Sequence, residues 1–330
     1  MSILVTGASG VLGSHVARHL AEKGHDVIAL SSSGVLPHSE LTLGAFADRV
    51  RFIKADIVDL PKLEKVVAEH QVEGIVHAAA MTGEAQARVR TAEMLSVNIL
   101  GTANVLQVAG AAKLRRVVYI GSASEYGRRA DLRPIREDEI NPEGIYSESK
   151  YAGHRLGQRF RDVFGLDVVT ARVTSVYGPN TRFDPLRKLV GNTLLAHLCR
   201  SIVHGQPVEL EEGGDYVRDW TYAADSAAGV SGLYLAEKLC HTSYNISGGN
   251  SYSLFDVVAA LRELAPEARI KVGGGDWKDD PFQALNLRGS LDITRAREDL
   301  GFKAAYSLKE GLAAYLDWWR ALQAKELAAA

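Results

Sequence analysis

The feature that most constrains the fold of this chain is a glycine-rich turn close to its N-terminus. An apolar run at residues 3–6 leads into Gly7-x-x-Gly10-x-x-Gly13, and an amphipathic stretch at residues 14–23 follows. A strand, a glycine turn and a helix in this order are the signature of a dinucleotide-binding βαβ unit. Gly7 permits the tight turn, Gly10 the close approach of a pyrophosphate, and Gly13 the packing of helix on strand. The turn therefore predicts a nucleotide cofactor at the helix N-terminus, where N–H groups and the helix dipole favour phosphate.

Cofactor contacts are predicted at this turn and at the end of the second strand, residues 26–30. The contacts at the turn are Gly7, Ser9, Gly10, Val11, Leu12 and Gly13. The second strand ends in Ser31-Ser32-Ser33, where an NAD-binding chain commonly carries an acid for the ribose 2′-hydroxyl. Without that carboxylate a 2′-phosphate is not repelled, and serine hydroxyls can bind it, although no arginine is nearby. We therefore expect NAD(P), bound partly by Ser31 and Ser32, with a slight preference for NADP; a flexible turn is the alternative interpretation.

Strands and helices alternate along the first half of the chain. Strands are predicted at residues 3–6, 26–30, 50–54, 74–78, 116–120 and 167–172, and helices at residues 14–23, 60–70 and 91–112. This alternation predicts an α/β fold with a Rossmann-type, doubly wound parallel sheet, whose strand ends share one edge where ligands bind. Beyond that point short strands and helices mix, without a linker. We expect an NAD(P)-binding Rossmann domain at residues 1–175 and a smaller C-terminal α/β domain at residues 176–330, which mainly binds substrate and returns some segments to the sheet.

The composition argues against several classes of protein. The chain has 330 residues, 46% apolar and 24% charged, as in a globular protein with a sizeable core. Its net charge of −2 gives no support to a nucleic-acid partner. Cys199 and Cys240 are far apart and match no metal-ligand pattern, which predicts reduced thiols and no metal site. With no secretory signal and no apolar run of membrane-spanning length in view, we expect a cytoplasmic protein without a membrane partner.

A tyrosine and a lysine four residues apart, Tyr146 and Lys150, are predicted to share one face of a helix. Because an ammonium favours a neighbouring phenolate, Lys150 is expected to lower the pKa of Tyr146 from its usual value of about 10. Such a phenol is a general acid or base for a hydroxyl or ketone. Ser122 follows the fifth predicted strand and therefore lies at the ligand-binding edge. The spacing alone is common, and a surface tyrosine beside a solvated lysine is the alternative interpretation.

Together these residues resemble the extended short-chain dehydrogenase/reductase family, which includes nucleotide-sugar epimerases and dehydratases. The matching segments are Thr6-Gly7-x-x-Gly10-x-x-Gly13, Asp56-Ile57, His77-Ala-Ala-Ala80, Asn98 with Gly101-Thr102, Ser122 before Tyr126-Gly127, Tyr146-x-x-x-Lys150, Tyr177-Gly-Pro179, Arg218-Asp-Trp-Thr-Tyr222-x-x-Asp225 and Asp292-Ile-Thr-Arg-Ala296 before Leu300-Gly301. The resemblance covers nearly the whole chain, with the segments in the family's order and at its spacing.

The resemblance implies a role for each catalytic residue. Tyr146 would be the general acid/base on the substrate oxygen, Ser122 would hydrogen-bond the same oxygen, and Lys150 would bind the nicotinamide ribose. The other cofactor residues implied are Asp56 and Ile57 beside the adenine, Ala78, Ala79 and Ala80 along the cofactor, and Asn98. Arg218 matches the residue that pairs with substrate phosphates in nucleotide-sugar relatives. The alternative interpretation is that Arg218 forms a structural salt bridge with a neighbour such as Asp219.

Departures from the family's pattern concern the substrate. Dehydratases carry an acidic pair after the serine, where this chain has Ala123 and Ser124, so dehydration is not expected; Glu125 is interpreted as structural. Ser175 replaces the asparagine that usually precedes the Val-Tyr-Gly-Pro turn, and the second arginine common upstream of Asp292 is missing. The residues predicted to contact substrate are Thr82, Ser122, Ser124, Tyr146, Ser175, Arg182, Asn192 and Arg218.

Two enzymatic functions fit these residues. The first is an NAD(P)-dependent sugar epimerase, acting on a nucleotide sugar through hydride transfer and a transient keto intermediate, which Arg218 favours. The second is an NADP(H)-dependent reductase or dehydrogenase of a sugar or other hydroxy-carbonyl compound, which the Ser31 region favours because NADP usually serves net reduction. A cofactor-sensing or scaffold protein is a third interpretation, against which the intact catalytic set argues. Relatives also suggest, by analogy, a homodimer formed through the helices bearing Tyr146 and Asn98.

Overall fold

A computed structural model describes residues 2–35, 37–129, 131–181, 192–277 and 289–329 of the chain. Its strands are β1 (Ser2–Thr6), β2 (Asp26–Ser31), β3 (Val50–Lys54), β4 (Val72–His77), β5 (Arg116–Ser122), β6 (Val168–Val173), β7 (Ser175–Tyr177), β8 (Val208–Leu210), β9 (Val217–Arg218), β10 (Trp220–Tyr222), β11 (Ser243–Ile246), β12 (Tyr252–Ser253) and β13 (Ile270–Val272). Seven of them form one parallel sheet in the order β11-β6-β5-β4-β1-β2-β3. All of β1 is buried, as expected for a strand covered on both faces. The predicted doubly wound parallel sheet is confirmed.

The order of the strands places a ligand-binding crevice between β1 and β4. Thr6, at the end of β1, pairs with Leu30 of β2 on one side and with His77 of β4 on the other. The chain winds from β1 to β2 and β3 in one direction, and to β4, β5, β6 and β11 in the other. The connections therefore diverge at the carboxyl ends of β1 and β4, which is where open α/β sheets bind ligands.

Helices cover both faces of this sheet. They are α1 (Val11–Glu22), α2 (Pro37–Leu43), α3 (Leu60–Glu69), α4 (Glu84–Val89), α5 (Thr91–Leu95), α6 (Thr102–Ala111), α7 (Ile145–Phe164), α8 (Asn192–Val203), α9 (Ala223–Leu235), α10 (Leu254–Leu264), α11 (Thr294–Leu300) and α12 (Leu308–Ala329), with 3-10 turns at Gly44–Arg49 and Ala123–Tyr126 and a π-helical turn at Ser96–Gly101. The apolar sides of α1 and α9 form the core on one face, and those of α3 and α6 form the core on the other. α7 packs beside α6, against β5 and β6.

The second half of the chain builds a further apolar core from α8, α10 and α12. Short strands accompany this core: β7 pairs with β10, β9 with β12, and β8 with β13. β11 comes from the same half of the chain but joins the edge of the central sheet beside β6. The division of the chain into domains at residue 175 remains a prediction.

One expectation about the apolar segments was wrong. By length and composition alone, the helical stretch Thr91–Ala111 could cross a membrane, so the described residues do include one apolar run of that length. Half of this stretch is buried inside the fold, where Val105 and Leu106 belong to the core under the sheet. Core helices of globular proteins meet the same criterion, and the absence of a membrane partner remains a prediction.

Candidate active site

The glycine turn forms a cradle that side chains would fill. Gly7 has φ +67°, and a Cβ atom on it would lie 2.6 Å from the backbone nitrogen of Ala79. A Cβ atom on Gly13 would lie 2.3 Å from the carbonyl oxygen of Gly7. Gly10 is the N-cap of α1; no side chain caps the helix there, and its first turn carries no acid. Among the described residues, no side chain therefore occupies the N–H groups of the first turn, which begins at Val11. Such N–H groups suit a pyrophosphate.

A cluster of serine hydroxyls lies between this turn and the end of β2. Ser9 and Ser31 are buried, and their Oγ atoms are 2.6 Å apart. The Oγ of Ser33 is 3.1 Å from that of Ser31, and both Ser32 and Ser33 are exposed. Lys54 ends β3 directly beside Ser31 in the sheet register, and its aliphatic chain lies against the same turn. Lys54 is not among the residues predicted from the sequence, although its place at the end of the strand next to β2 could have indicated it.

The residues predicted beside the adenine and along the cofactor follow β3 and β4. The exposed carboxylate of Asp56 accepts a hydrogen bond from the Val58 backbone at 3.0 Å. Ile57 is buried, and its carbonyl accepts from the side chain of Asn104 at 3.0 Å. Ala78, Ala79 and Ala80 are half-buried at the end of β4 and adjoin the glycine turn. The three alanines therefore place small side chains at the crevice, as predicted.

His77 holds β1, β4 and α6 together beneath the crevice. Its Nδ1 lies 2.7 Å from Oγ1 of Thr6, and its Nε2 lies 3.0 Å from Oγ1 of Thr102. Burial lowers the pKa of His77 to about 3, and the nearby charge of Lys150 acts in the same direction. The ring is therefore neutral at physiological pH. Its two hydrogen bonds stabilise the strand ends that the cofactor would contact.

Tyr146 and Lys150 lie one turn apart on α7, as predicted. Lys150 is buried, with Nζ 4.5 Å from the centroid of the Tyr119 ring, and the Tyr119 hydroxyl donates to the Lys150 carbonyl at 2.9 Å. Burial lowers the pKa of Lys150 to about 8, and the carboxylate of Glu125 partly opposes this effect. Because Lys150 is buried and Tyr146 is half-buried, the alternative of a surface tyrosine beside a solvated lysine is wrong.

Ser122 is the last residue of β5 and opens a rigid turn. Its Oγ accepts hydrogen bonds from the backbone and the hydroxyl of Ser124, at 3.1 and 2.9 Å, so its own proton can be donated. The Ser122 N–H donates to the buried carboxylate of Glu125 at 2.8 Å, and Arg172 donates to the other oxygen of Glu125 at 2.7 Å. Glu125 is therefore structural, as interpreted. α7, which carries Tyr146, packs against both β5 and this turn.

Asn98 connects the loop after β4 to α7. Its Oδ1 accepts from the Met81 backbone at 2.9 Å, and its Nδ2 donates to the Met81 carbonyl at 3.0 Å and to Ser149 Oγ at 2.9 Å. Ser149 in turn donates to the carbonyl of Tyr146 at 2.7 Å. The Asn98 side chain is thus buried between the loop after β4 and the helix α7. Its predicted contact with the cofactor remains a prediction.

Arg218 is a half-buried cation held by neutral partners. It donates to Ser175 Oγ at 2.7 Å and to the hydroxyl of Tyr216, and its guanidinium carbon lies 5.0 Å from the centroid of the Tyr216 ring. The carboxylate of Asp219 instead accepts from the Leu291 backbone at 3.0 Å. The salt bridge between Arg218 and Asp219, offered as the alternative, is therefore wrong, and Arg218 forms no ion pair among the residues described.

The register of the sheet relates Arg218 to the predicted catalytic residue Ser122. Ser122 of β5 pairs with Val173 of β6, and Ser175 follows two residues later at the start of β7. Ser175 therefore brings Arg218 to the same edge of the sheet as Ser122. Among the other predicted substrate contacts, Thr82 is exposed in the loop between β4 and α4. Arg182 lies outside the described residues, as does the side chain of Asn192, the first residue of α8.

The parallel sheet, the glycine cradle and the buried lysine below Tyr146 define a dinucleotide-binding enzyme of the short-chain dehydrogenase/reductase type. A sequence profile described as the NAD dependent epimerase/dehydratase family matches residues 3–247. The chain belongs to this family, which lies within the extended short-chain dehydrogenases/reductases, and it is an enzyme. The resemblance inferred from the sequence is confirmed.

Relatives of known description match almost the entire chain. A UDP-glucose 4-epimerase of Mycolicibacterium smegmatis is 29% identical over 97% of this chain and 99% of its own length. A dTDP-glucose 4,6-dehydratase of Streptomyces niveus is 28% identical over 97% of this chain and 93% of its own length. Among solved structures, a UDP-glucose 4-epimerase of Thermotoga maritima with UDP-glucose superposes with a TM-score of 0.84 at 26% identity, covering 98% of this chain and all of that one.

Proposed function

We propose that this enzyme is an NAD(P)-dependent epimerase of a nucleotide sugar, with Ser122, Tyr146 and Lys150 as its catalytic residues. The observation that carries the proposal is the placement of Arg218. This cation is half-buried, bound only to neutral partners in the described part of the chain, and joined through Ser175 to the edge of the sheet where Ser122 lies. A guanidinium in such a setting suits a substrate diphosphate. The relatives described above act on nucleotide sugars, as their names state.

Each catalytic residue has a role that its surroundings support. NAD(P) held at the glycine turn would supply the acceptor and donor of the hydride. Tyr146 takes the proton of the reacting hydroxyl, and Ser122 donates a hydrogen bond to the oxygen that becomes the ketone. Lys150 holds the nicotinamide ribose and favours the phenolate of Tyr146 through its charge. If the keto sugar turns over before the hydride returns to its other face, the product is the epimer.

This proposal is tested by following nucleotide sugars with the purified enzyme in NMR spectra. UDP-glucose and related nucleotide sugars should interconvert with their epimers while the absorbance of reduced nicotinamide stays constant. If reduced cofactor instead accumulates in proportion to a ketone product, the enzyme is a net dehydrogenase. That result would replace epimerisation with the alternative function, an NADP(H)-dependent reductase or dehydrogenase.

The second part of the proposal is that the enzyme prefers NADP to NAD. The observation behind it, the polar turn after β2, is also what favours the alternative function. The hydroxyls of Ser31 and Ser33 lie at the turn where an acid would select NAD, and the aliphatic chain of Lys54 lies against the same turn. Hydroxyl groups and an ammonium can bind a 2′-phosphate, and no repelling carboxylate stands at the end of β2.

Replacement of Lys54 should affect the affinity for NADP and not the affinity for NAD. Lys54→Ala should weaken NADP binding about tenfold, the value of one charge-assisted hydrogen bond, and leave NAD binding nearly unchanged. Calorimetric titration of both cofactors measures this, with Lys325→Ala, an exposed lysine of α12, as the control. If wild type binds NAD more tightly than NADP and Lys54→Ala changes neither affinity, the serine turn does not select NADP.

A further inference from the structure

The N-terminus of α7 has no capping side chain of its own. Gly144 stands at the N-cap with φ 140° and offers no side-chain acceptor to the first turn. The first N–H groups of a helix need such an acceptor, because they have no partner within the helix. Tyr146 is the second residue of α7, so the geometry of this turn fixes where its phenol lies.

Glu84, which lies far away in the sequence, supplies acceptors for the N–H groups of the first two residues of α7. Its Oε1 accepts from the Ile145 N–H at 2.9 Å, and its Oε2 accepts from the Tyr146 N–H at 2.9 Å. A Cβ atom at Gly144 would lie 2.7 Å from Oε2 of Glu84, so the glycine makes room for the carboxylate. A negative charge at a helix N-terminus is also favoured by the helix dipole.

The same carboxylate connects α7 to the loop along the cofactor. Glu84 is the first residue of α4 and follows the loop that begins with Ala78 at the end of β4. Asn98 fastens Met81 of this loop to Ser149, which donates to the carbonyl of Tyr146. The backbone of Tyr146 is therefore held at its N–H by Glu84 and at its carbonyl by Ser149. Both attachments lead to one loop.

We propose that Glu84 is a positioning residue, whose carboxylate aligns Tyr146 with the loop that lines the cofactor. The proposal rests on the proposed catalytic role of Tyr146 and extends it to a residue outside the Ser-Tyr-Lys set. It requires that Glu84 acts through the backbone of α7 and does not touch the substrate. Loss of the carboxylate should then slow the chemical step while the binding of cofactor and substrate changes little.

Three variants test this role. Glu84→Ala removes both acceptors, and Glu84→Gln keeps one acceptor oxygen of the two. Glu148→Ala is the matched control, because Glu148 is an exposed acid in the first turn of α7 that provides no cap. The measurements are kcat, KM and cofactor Kd for whichever hydride transfer the wild type performs, the isotope effect with substrate deuterated at the reacting carbon, and amide hydrogen exchange of residues 144–150.

The expected order of kcat is wild type and Glu148→Ala first, then Glu84→Gln, then Glu84→Ala. Glu84→Ala should lose about 10- to 100-fold in kcat, since misplacement by about 1 Å has effects of that size. Its KM and cofactor Kd should stay within about threefold, the isotope effect on kcat should rise, and residues 144–150 should exchange faster. Unchanged exchange, or a loss expressed only in KM or in the folded fraction, would overturn the proposal. Because exchange needs no turnover, it still tests the proposed role of Glu84 when the wild type is inactive on nucleotide sugars, a result that would contradict only the proposed function.

Discussion

At the scale of single residues, the burial of Lys150 accounts for the chemistry of the site. A tyrosine and a lysine at this spacing could have been two surface residues, and the structure shows the lysine enclosed beside the Tyr119 ring. An ammonium away from water interacts strongly with a nearby phenol or ribose, since little solvent screens it. The same burial disfavours its charge and sets a limit on the pH at which it can act.

Cofactor affinity should therefore fall as the pH rises through the pKa of Lys150, about 8. In the proposed role, the amine is charged below this pH and would donate charge-assisted hydrogen bonds to the ribose, and above this pH the charge is lost. Because such bonds are worth about 1.5–3 kcal/mol, Kd should increase roughly tenfold or more between about pH 7 and pH 9.5. Titration calorimetry across this range measures the effect, and Lys150→Arg should not show it. A wild-type Kd that is flat over the range would contradict the assignment.

The linked effect on stability has the opposite sign. The pKa of Lys150 is depressed in the folded chain, so the unfolded chain binds the proton more tightly. Its contribution to stability is therefore fully present only above the ordinary lysine pKa of about 10.5 and is lost as the pH falls through about 8. The protein thus carries a destabilised cation at neutral pH, as functional sites often do.

At the scale of elements, the packing of α1 on β1 depends on Gly13. A methyl group on Gly13 would overlap the Gly7 carbonyl, at 2.3 Å, which would push the helix off the turn. Gly13→Ala should therefore cost about 1–3 kcal/mol of stability and weaken cofactor binding at least tenfold. Gly110→Ala is the control, since nothing lies within 4 Å of a Cβ atom there and alanine is the better helix former. Thermal unfolding and cofactor titration compare the two; equal behaviour would show that the cradle tolerates a side chain.

Sequence patterns predicted these elements well because the elements depend on local order. Buried runs such as residues 27–30 follow from their apolar sequence, and α1 follows from the amphipathic stretch after the glycine turn. The strand ends meet because right-handed crossovers place them along one edge of the sheet. The contact of Glu84 with Ile145 and the partners of Arg218 could not be predicted in this way. They join segments far apart in the chain, and no periodic signal marks them. One indirect signal existed: Gly144 leaves α7 without a cap, which points to an acceptor elsewhere.

At the scale of the whole molecule, we propose a homodimer that covers the outer sides of α5, α6 and α7. Four large apolar side chains on these elements are 38–68% exposed. They are Leu95 at the end of α5, Leu100 in the π-helical turn between α5 and α6, and Val163 and Phe164 at the end of α7. Sedimentation should then give twice the chain mass of 35.7 kDa. Leu100→Glu should shift the protein to the monomer, whereas Leu327→Glu, at an exposed leucine of α12, should not. A wild type that sediments as a monomer at micromolar concentration would contradict the proposal.

The proposed chemistry depends on Tyr146 as the acid/base of hydride transfer, and removal of its hydroxyl is the most direct test. Tyr146→Phe keeps the ring and removes only the hydroxyl, and Tyr151→Phe on the same helix is the control. Turnover on the best nucleotide sugar should fall about 10²- to 10⁴-fold in Tyr146→Phe, while cofactor Kd stays at the wild-type value and Tyr151→Phe remains active. Turnover of Tyr146→Phe within a few-fold of wild type would contradict the central claim.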